Sequence, residues 1–109
     1  MAQKKISKKT IKIIGGFVER LKDEERLPIE RVVVFGSRAN GKAKTASDID
    51  VCLISPRFQK PLEAMKFLWQ KRNRAEVLAG LEPIGFSAKD FEEGGSLISE
   101  IKKTGVRVL

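Results

Sequence analysis

The chain contains no histidine, no tyrosine and one cysteine, and each shortage removes a class of chemistry. Without histidine, serine–histidine and cysteine–histidine nucleophilic pairs cannot be built. The single cysteine, Cys52, permits neither a disulfide within the chain nor a cysteine-rich zinc site. It stands in the apolar run Val51-Cys52-Leu53-Ile54, the setting of a packed thiol rather than a nucleophile. Any metal must therefore be held by oxygen, which selects a hard cation such as Mg²⁺ or Mn²⁺. Long apolar stretches are also missing. No run approaches the roughly 20 residues of a membrane-spanning helix. The basic start Met1-Ala2-Gln3-Lys4-Lys5 is not followed by the apolar core and small-residue cleavage site of a signal peptide. A soluble, cytoplasmic protein with no membrane partner is expected.

What is present is positive charge. The 22 basic and 14 acidic side chains give +8, which suits a polyanionic partner such as a nucleotide, a nucleic acid or an acidic protein. Lys4, Lys5, Lys8, Lys9 and Lys12 share one side of a helix, as the solvated face of an amphipathic element does. At 109 residues, 41% hydrophobic, the chain has the material for one domain with one core, residues 1–109.

The apolar periodicity Ile6, Thr10, Ile13, Ile14, Phe17, Leu21 predicts a first helix ending near Leu27-Pro28. Arg31 to Phe35 is a β-branched run closed by Gly36, a buried strand. Asp48 to Ile54 alternates and then turns wholly apolar, as a strand does when it enters a core. A second long helix is predicted from Pro61 to Gly80, with Trp69 on its apolar stripe as a core anchor. Leu81 to Phe86 reads as a third strand, and Pro83 puts it at an edge or a bulge. Ser87 and Asp90 stand at capping-box spacing, Gly94-Gly95 interrupts, Leu97 to Lys103 is a short helix and Val106 to Leu109 a last strand. The order describes an α/β (α+β) domain: a small mixed β-sheet flanked by helices.

Chemistry concentrates in Val34-Phe35-Gly36-Ser37-Arg38-Ala39-Asn40-Gly41-Lys42 and in Ser47-Asp48-Ile49-Asp50. Gly36, directly after a strand, lets backbone approach a ligand, and Ser37 offers a hydroxyl and an N–H to an anion. Asp48 and Asp50, two apart on a strand, project from one face with Cα atoms about 6.6 Å apart. Uncompensated, two such charges repel by roughly 2–3 kcal/mol at an effective dielectric near 20, a penalty that a bound cation reverses. A phosphate-binding turn that ends one strand and a carboxylate pair that opens the next would bring phosphate and metal together, as two-metal phosphoryl chemistry requires. The P-loop pattern fits Gly36 to Lys42 but fails at Ala43, where a Ser or Thr must reach the metal.

Gly36-Ser37, ten intervening residues, then Asp48-x-Asp50, with Arg38, Gly41 and Ser47 adjoining, resembles the signature of the DNA polymerase β-type nucleotidyltransferase superfamily in its minimal, stand-alone, antitoxin-like form. The resemblance extends more loosely over Leu81 to Ser87 and the tail Ile101 to Gly105. It implies a nucleotidyltransferase fold and transfer of a nucleoside monophosphate, AMP from ATP, to an acceptor hydroxyl. Gly36 and Ser37 would hold the triphosphate, with Arg38 and Lys42, assisted by Lys44, neutralising its charge. Asp48 and Asp50 would ligate Mg²⁺ or Mn²⁺, and Glu82, standing where the commonest family pattern has aspartate, would be the third carboxylate and take the acceptor's proton. It also implies a small helical HEPN-family toxin as protein partner and substrate. A module that neutralises such a partner without catalysis is the alternative, and nucleic-acid binding a third reading.

Overall fold

The computed structural model describes residues 6–36, 39 and 48–109. Ser37, Arg38, Gly41, Lys42, Lys44 and Ser47, as well as Lys4 and Lys5, lie outside the described residues.

Helix α1, Lys8–Glu24, begins where Ser7 Oγ accepts the Thr10 N–H at 3.1 Å, satisfying a donor that the first turn leaves open. Its buried stripe is Thr10, Ile14, Phe17, Val18 and Leu21. The helix stops three residues before Leu27, because Arg26 turns left-handed at φ 53° and Pro28 disfavours helical geometry at Leu27. Strand β1 is Arg31–Phe35 and β2 is Ile49–Ile54, so Asp48 stands just ahead of the strand it was expected to open.

The long helix expected from Pro61 to Gly80 is two helices, α2 Pro61–Gln70 and α3 Arg74–Leu78. The break has a local cause in a capping box. Asn73 Oδ1 accepts the Glu76 N–H and the Glu76 carboxylate accepts the Asn73 N–H, both at 2.8 Å, so the backbone restarts at Asn73. Strand β3, Leu81–Phe86, follows, then α4 Ala88–Glu93, capped by Ser87, α5 Ser96–Thr104, and β4 Val106–Arg107.

The sheet order is β3-β2-β1-β4. β2 and β3 run parallel, while β1 is antiparallel to β2 and β4, so the sheet is mixed and helices cover both faces. Val32, Val34, Val51, Leu53 and Leu81 bury one face under α1 and α2. Val33, Cys52, Ile54 and Phe86 bury the other under Phe91 of α4 and Ile98 and Ile101 of α5. Each large side chain so buried contributes roughly 1.5–3 kcal/mol. Among the described residues no helix is long and apolar enough to cross a membrane.

One polar tie fixes α3. Arg20 of α1 donates to Glu76 at 3.0 Å and to the Lys71 carbonyl at 2.9 Å. Glu76 is only 5% exposed. The strongly buried carboxylate is thus matched by a guanidinium and by a helix cap.

Candidate active site

Three residues form one row across the sheet: Phe35 of β1 pairs with Asp50 of β2, and Asp50 with Glu82 of β3. The row lies at the C-terminal end of β1 and the N-terminal ends of β2 and β3. Asp50 and Glu82 stand on the face that carries Cys52, Ile54 and Phe86 deeper in the sheet, because side chains alternate along a strand. Ile49, Val51 and Leu53 fill the opposite face and hold the strand in place. Pro83 does not disturb the pairing. Its neighbours keep register from Leu81 to Phe86, which an edge strand permits.

Gly36 follows Phe35 at φ 74°, and a Cβ placed on it would lie 2.5 Å from Asp50 Oδ2. The carboxylate of Asp50 therefore rests against bare backbone, in space that any other residue would fill. Ala39, fully buried, returns its N–H to the Gly36 carbonyl at 3.1 Å, so the chain turns immediately after β1.

The acidic groups act on one another. Burial raises the Asp50 carboxyl above its usual range, repulsion from Asp48 raises it further, and a hydrogen bond with Glu82 opposes both. Burial also raises Glu82, followed by repulsion from Asp48 and then Asp50; Arg72 draws it down. Among the described residues no three acidic or thiol groups form a ready metal cage. Cys52, fully buried, is pushed up to about 12 by desolvation, against a weaker pull from Arg31. It is inert.

A cavity of about 600 Å³ opens beside Asp48, between the start of α1 and the end of α3, lined by Ser7, Lys9, Thr10, Leu78 and Gly80 among others. Its size is that of a small-molecule site. A cavity of about 400 Å³ lined by Leu27, Phe58, Ala64 and Phe67 lies at the far ends of β1 and β2, away from the carboxylates.

The profile of the nucleotidyltransferase domain family matches residues 14–107, nearly the whole of this fold. The chain belongs to the nucleotidyltransferase domain family. Its fold is similar to the crystal structure of a "putative nucleotidyltransferase" from Sulfolobus solfataricus, with a TM-score of 0.64 at 19% identity, covering 91% of this chain and 78% of that one. No curated protein matches the chain. Membership makes the chain a transferase with a nucleoside triphosphate substrate.

Within this nucleotidyltransferase domain, Asp48, Asp50, Glu82 and Gly36 come together at one end of the sheet. Ser37, Arg38 and Lys42 lie outside the described residues. Arg72 was not anticipated from the sequence. It faces Glu82, stacks on Trp69 at 4.4 Å and donates to the Leu81 carbonyl at 2.9 Å. Nothing in its local pattern marks it, because its role depends on the turn that ends α2. Trp69 is not the core anchor expected. It is 38% exposed, and its indole N–H donates to the Pro83 carbonyl at 2.9 Å.

Proposed function

We propose that the domain transfers AMP from ATP to an acceptor hydroxyl, using the carboxylates Asp48, Asp50 and Glu82. The observation that carries the reading is the pairing of Asp50 with Glu82 beside the bare backbone of Gly36. Asp50 and Glu82, half-buried and with raised affinity for protons, together with the exposed carboxylate of Asp48 and with no histidine or exposed thiol near them, are a donor set for a hard divalent cation. Held by carboxylates of this set, Mg²⁺ or Mn²⁺ would supply Lewis-acid stabilisation of the charge that spreads over the phosphates.

The chain's own residues then have separable tasks. The backbone at Gly36 and the hydroxyl of Ser37 receive the triphosphate, because no Cβ obstructs the approach at Gly36. Arg38 and Lys42 neutralise it. Glu82, raised toward the pH range in which a base works, takes the proton from the acceptor hydroxyl. The acceptor oxygen bonds to the α-phosphorus, the bond to the bridging oxygen breaks, and pyrophosphate leaves. Arg72, close to Glu82, limits how far that carboxyl is raised.

The finer reading places the acceptor hydroxyl on a HEPN-type toxin and rests on the family resemblance alone. Equilibrium binding of ATP tests the site directly. The wild type binds ATP with Mg²⁺ and at least tenfold more weakly in chelator, and Asp50→Asn abolishes the difference. ATP binding indifferent both to the cation and to Asp50 contradicts the reading.

A further inference from the structure

The two edges of the sheet are finished in opposite ways. On β3 the ladder to β2 uses the even-numbered residues, since Ile49 N–H donates to the Gly80 carbonyl and Ser55 N–H to the Phe86 carbonyl. Leu81, Pro83 and Gly85 therefore turn their backbones outward. All three are covered. Arg72 donates to the Leu81 carbonyl and Trp69 to the Pro83 carbonyl. Pro83 has no N–H to offer, and the Phe58 ring packs directly over Gly85. Side chains supply the donors that another strand would, and the edge is closed to pairing.

Among the described residues, the outer edge of β4 has none of these protections. Val108 N–H donates to the Val32 carbonyl, so Val106 and Val108 face β1 and the backbone of Arg107 faces away from it. Among the described residues no strand pairs with that side. Helix α1 runs alongside, leaving troughs of about 610 Å³ beside Ile6, Ile11 and Arg107 and about 620 Å³ beside Gly15, Gly16 and Leu109. Ile11 and Leu109 are exposed there, at 38% and 51%.

The glycine pair is the second anomaly. Gly15 and Gly16 sit inside a helix, where each costs about 0.5–1 kcal/mol relative to alanine. Close packing within the described residues gives no reason for them, since a Cβ on either meets nothing within 4 Å. They leave helix backbone bare toward one of the troughs that flank β4. The walls carry the cationic side chains Lys8, Lys12, Lys22 and Arg107, four in all, against the single acidic side chain Glu19.

We propose that the outer edge of β4, with the Gly15–Gly16 face of α1, is a docking surface that takes an extended acidic segment of a partner protein as an added strand. Main-chain bonds to Arg107 give the pairing, bare helix backbone lets the segment lie close, and the cations select carboxylates. A second copy of the chain would set like charges against each other across the same edge, and this decides for an acidic partner.

Selection of a random ten-residue display library on the full chain tests the surface. Enriched peptides should alternate apolar residues with Asp or Glu, shift the Arg107, Gly15 and Gly16 amide resonances and slow hydrogen exchange at the Arg107 amide. Arg107→Pro, which removes an outward N–H, should weaken them about tenfold, the worth of one hydrogen bond to a charged or well-aligned partner. Gly15→Gln/Gly16→Gln should block them while leaving the fold intact, because the added side chains enter open space. Peptides that are basic, or that bind both variants as well as wild type, overturn the proposal. So does a concentration-dependent dimer in gel filtration that Arg107→Pro dissolves, which would give the edge to a second copy.

Discussion

Asp50 and Glu82 face each other in register across the parallel strands β2 and β3, and both carboxyls are held above their ordinary range, chiefly by burial and then by acidic neighbours. Such a pair opposes folding when it is fully ionised. Sites that work on charged substrates commonly carry this kind of perturbation. Placed beside Gly36, it is the feature on which the proposed chemistry of this domain rests.

The pair makes stability fall as pH rises in cation-free buffer. A carboxyl raised in the folded state holds its proton more tightly there than in the unfolded chain, whose values lie near 3.8 for Asp and 4.5 for Glu. The stabilisation is complete below those values and is lost as pH climbs through the raised folded-state ones. Asp50→Asn should flatten that slope and stabilise the chain at pH 7 by about 1 kcal/mol. Bare repulsion across neighbouring strands is roughly 3 kcal/mol, reduced by the solvent that reaches both groups. Thermal unfolding in chelator between pH 4 and 8 checks both statements.

Divalent cations should reverse the same penalty. Mg²⁺ or Mn²⁺ at a hundredfold excess over its dissociation constant adds about 2.7 kcal/mol to the folded state, seen as a higher Tm. The gain should vanish in Asp50→Asn/Glu82→Gln and persist in Arg107→Pro.

Gly36→Ala should be costly in two ways. The positive φ disfavours any side chain, by about 1–2 kcal/mol, and the new Cβ drives into Asp50 Oδ2. Denaturant unfolding should show the first. A loss of nucleotide transfer larger than the loss of folded protein should show the second.

Gly15→Ala and Gly16→Ala should each stabilise the isolated chain by about 0.5–1 kcal/mol, since helix propensity improves and the Cβ meets open space. Chemical denaturation of the two variants measures this.

Much of this arrangement was legible in the sequence. The strands Arg31–Phe35 and Leu81–Phe86 stand where β-branched and apolar runs end in turn residues, and Pro83 correctly put β3 at an edge. Cys52 is the packed thiol its apolar neighbours implied. The division of α2 from α3 was readable in Asn73-x-x-Glu76 but was outweighed by the apolar periodicity running through it. The exposure of Trp69 and the presence of Arg72 beside Glu82 were not readable, because both follow from how the end of α2 crosses the edge of β3. No local spacing encodes that crossing. The pairing of Asp50 with Glu82 was equally non-local, and only the register of two strands joined by α2 and α3 creates it.

The most direct measurement is transfer of label from α-labelled ATP, with Mg²⁺ or Mn²⁺, into lysate of the source organism, comparing wild type with Asp48→Asn/Asp50→Asn. The account predicts a labelled product with wild type, of a size that identifies the acceptor, and none with the double variant. Label transfer that is undiminished in the variant, or absent from a wild type that is folded and binds ATP, would contradict it.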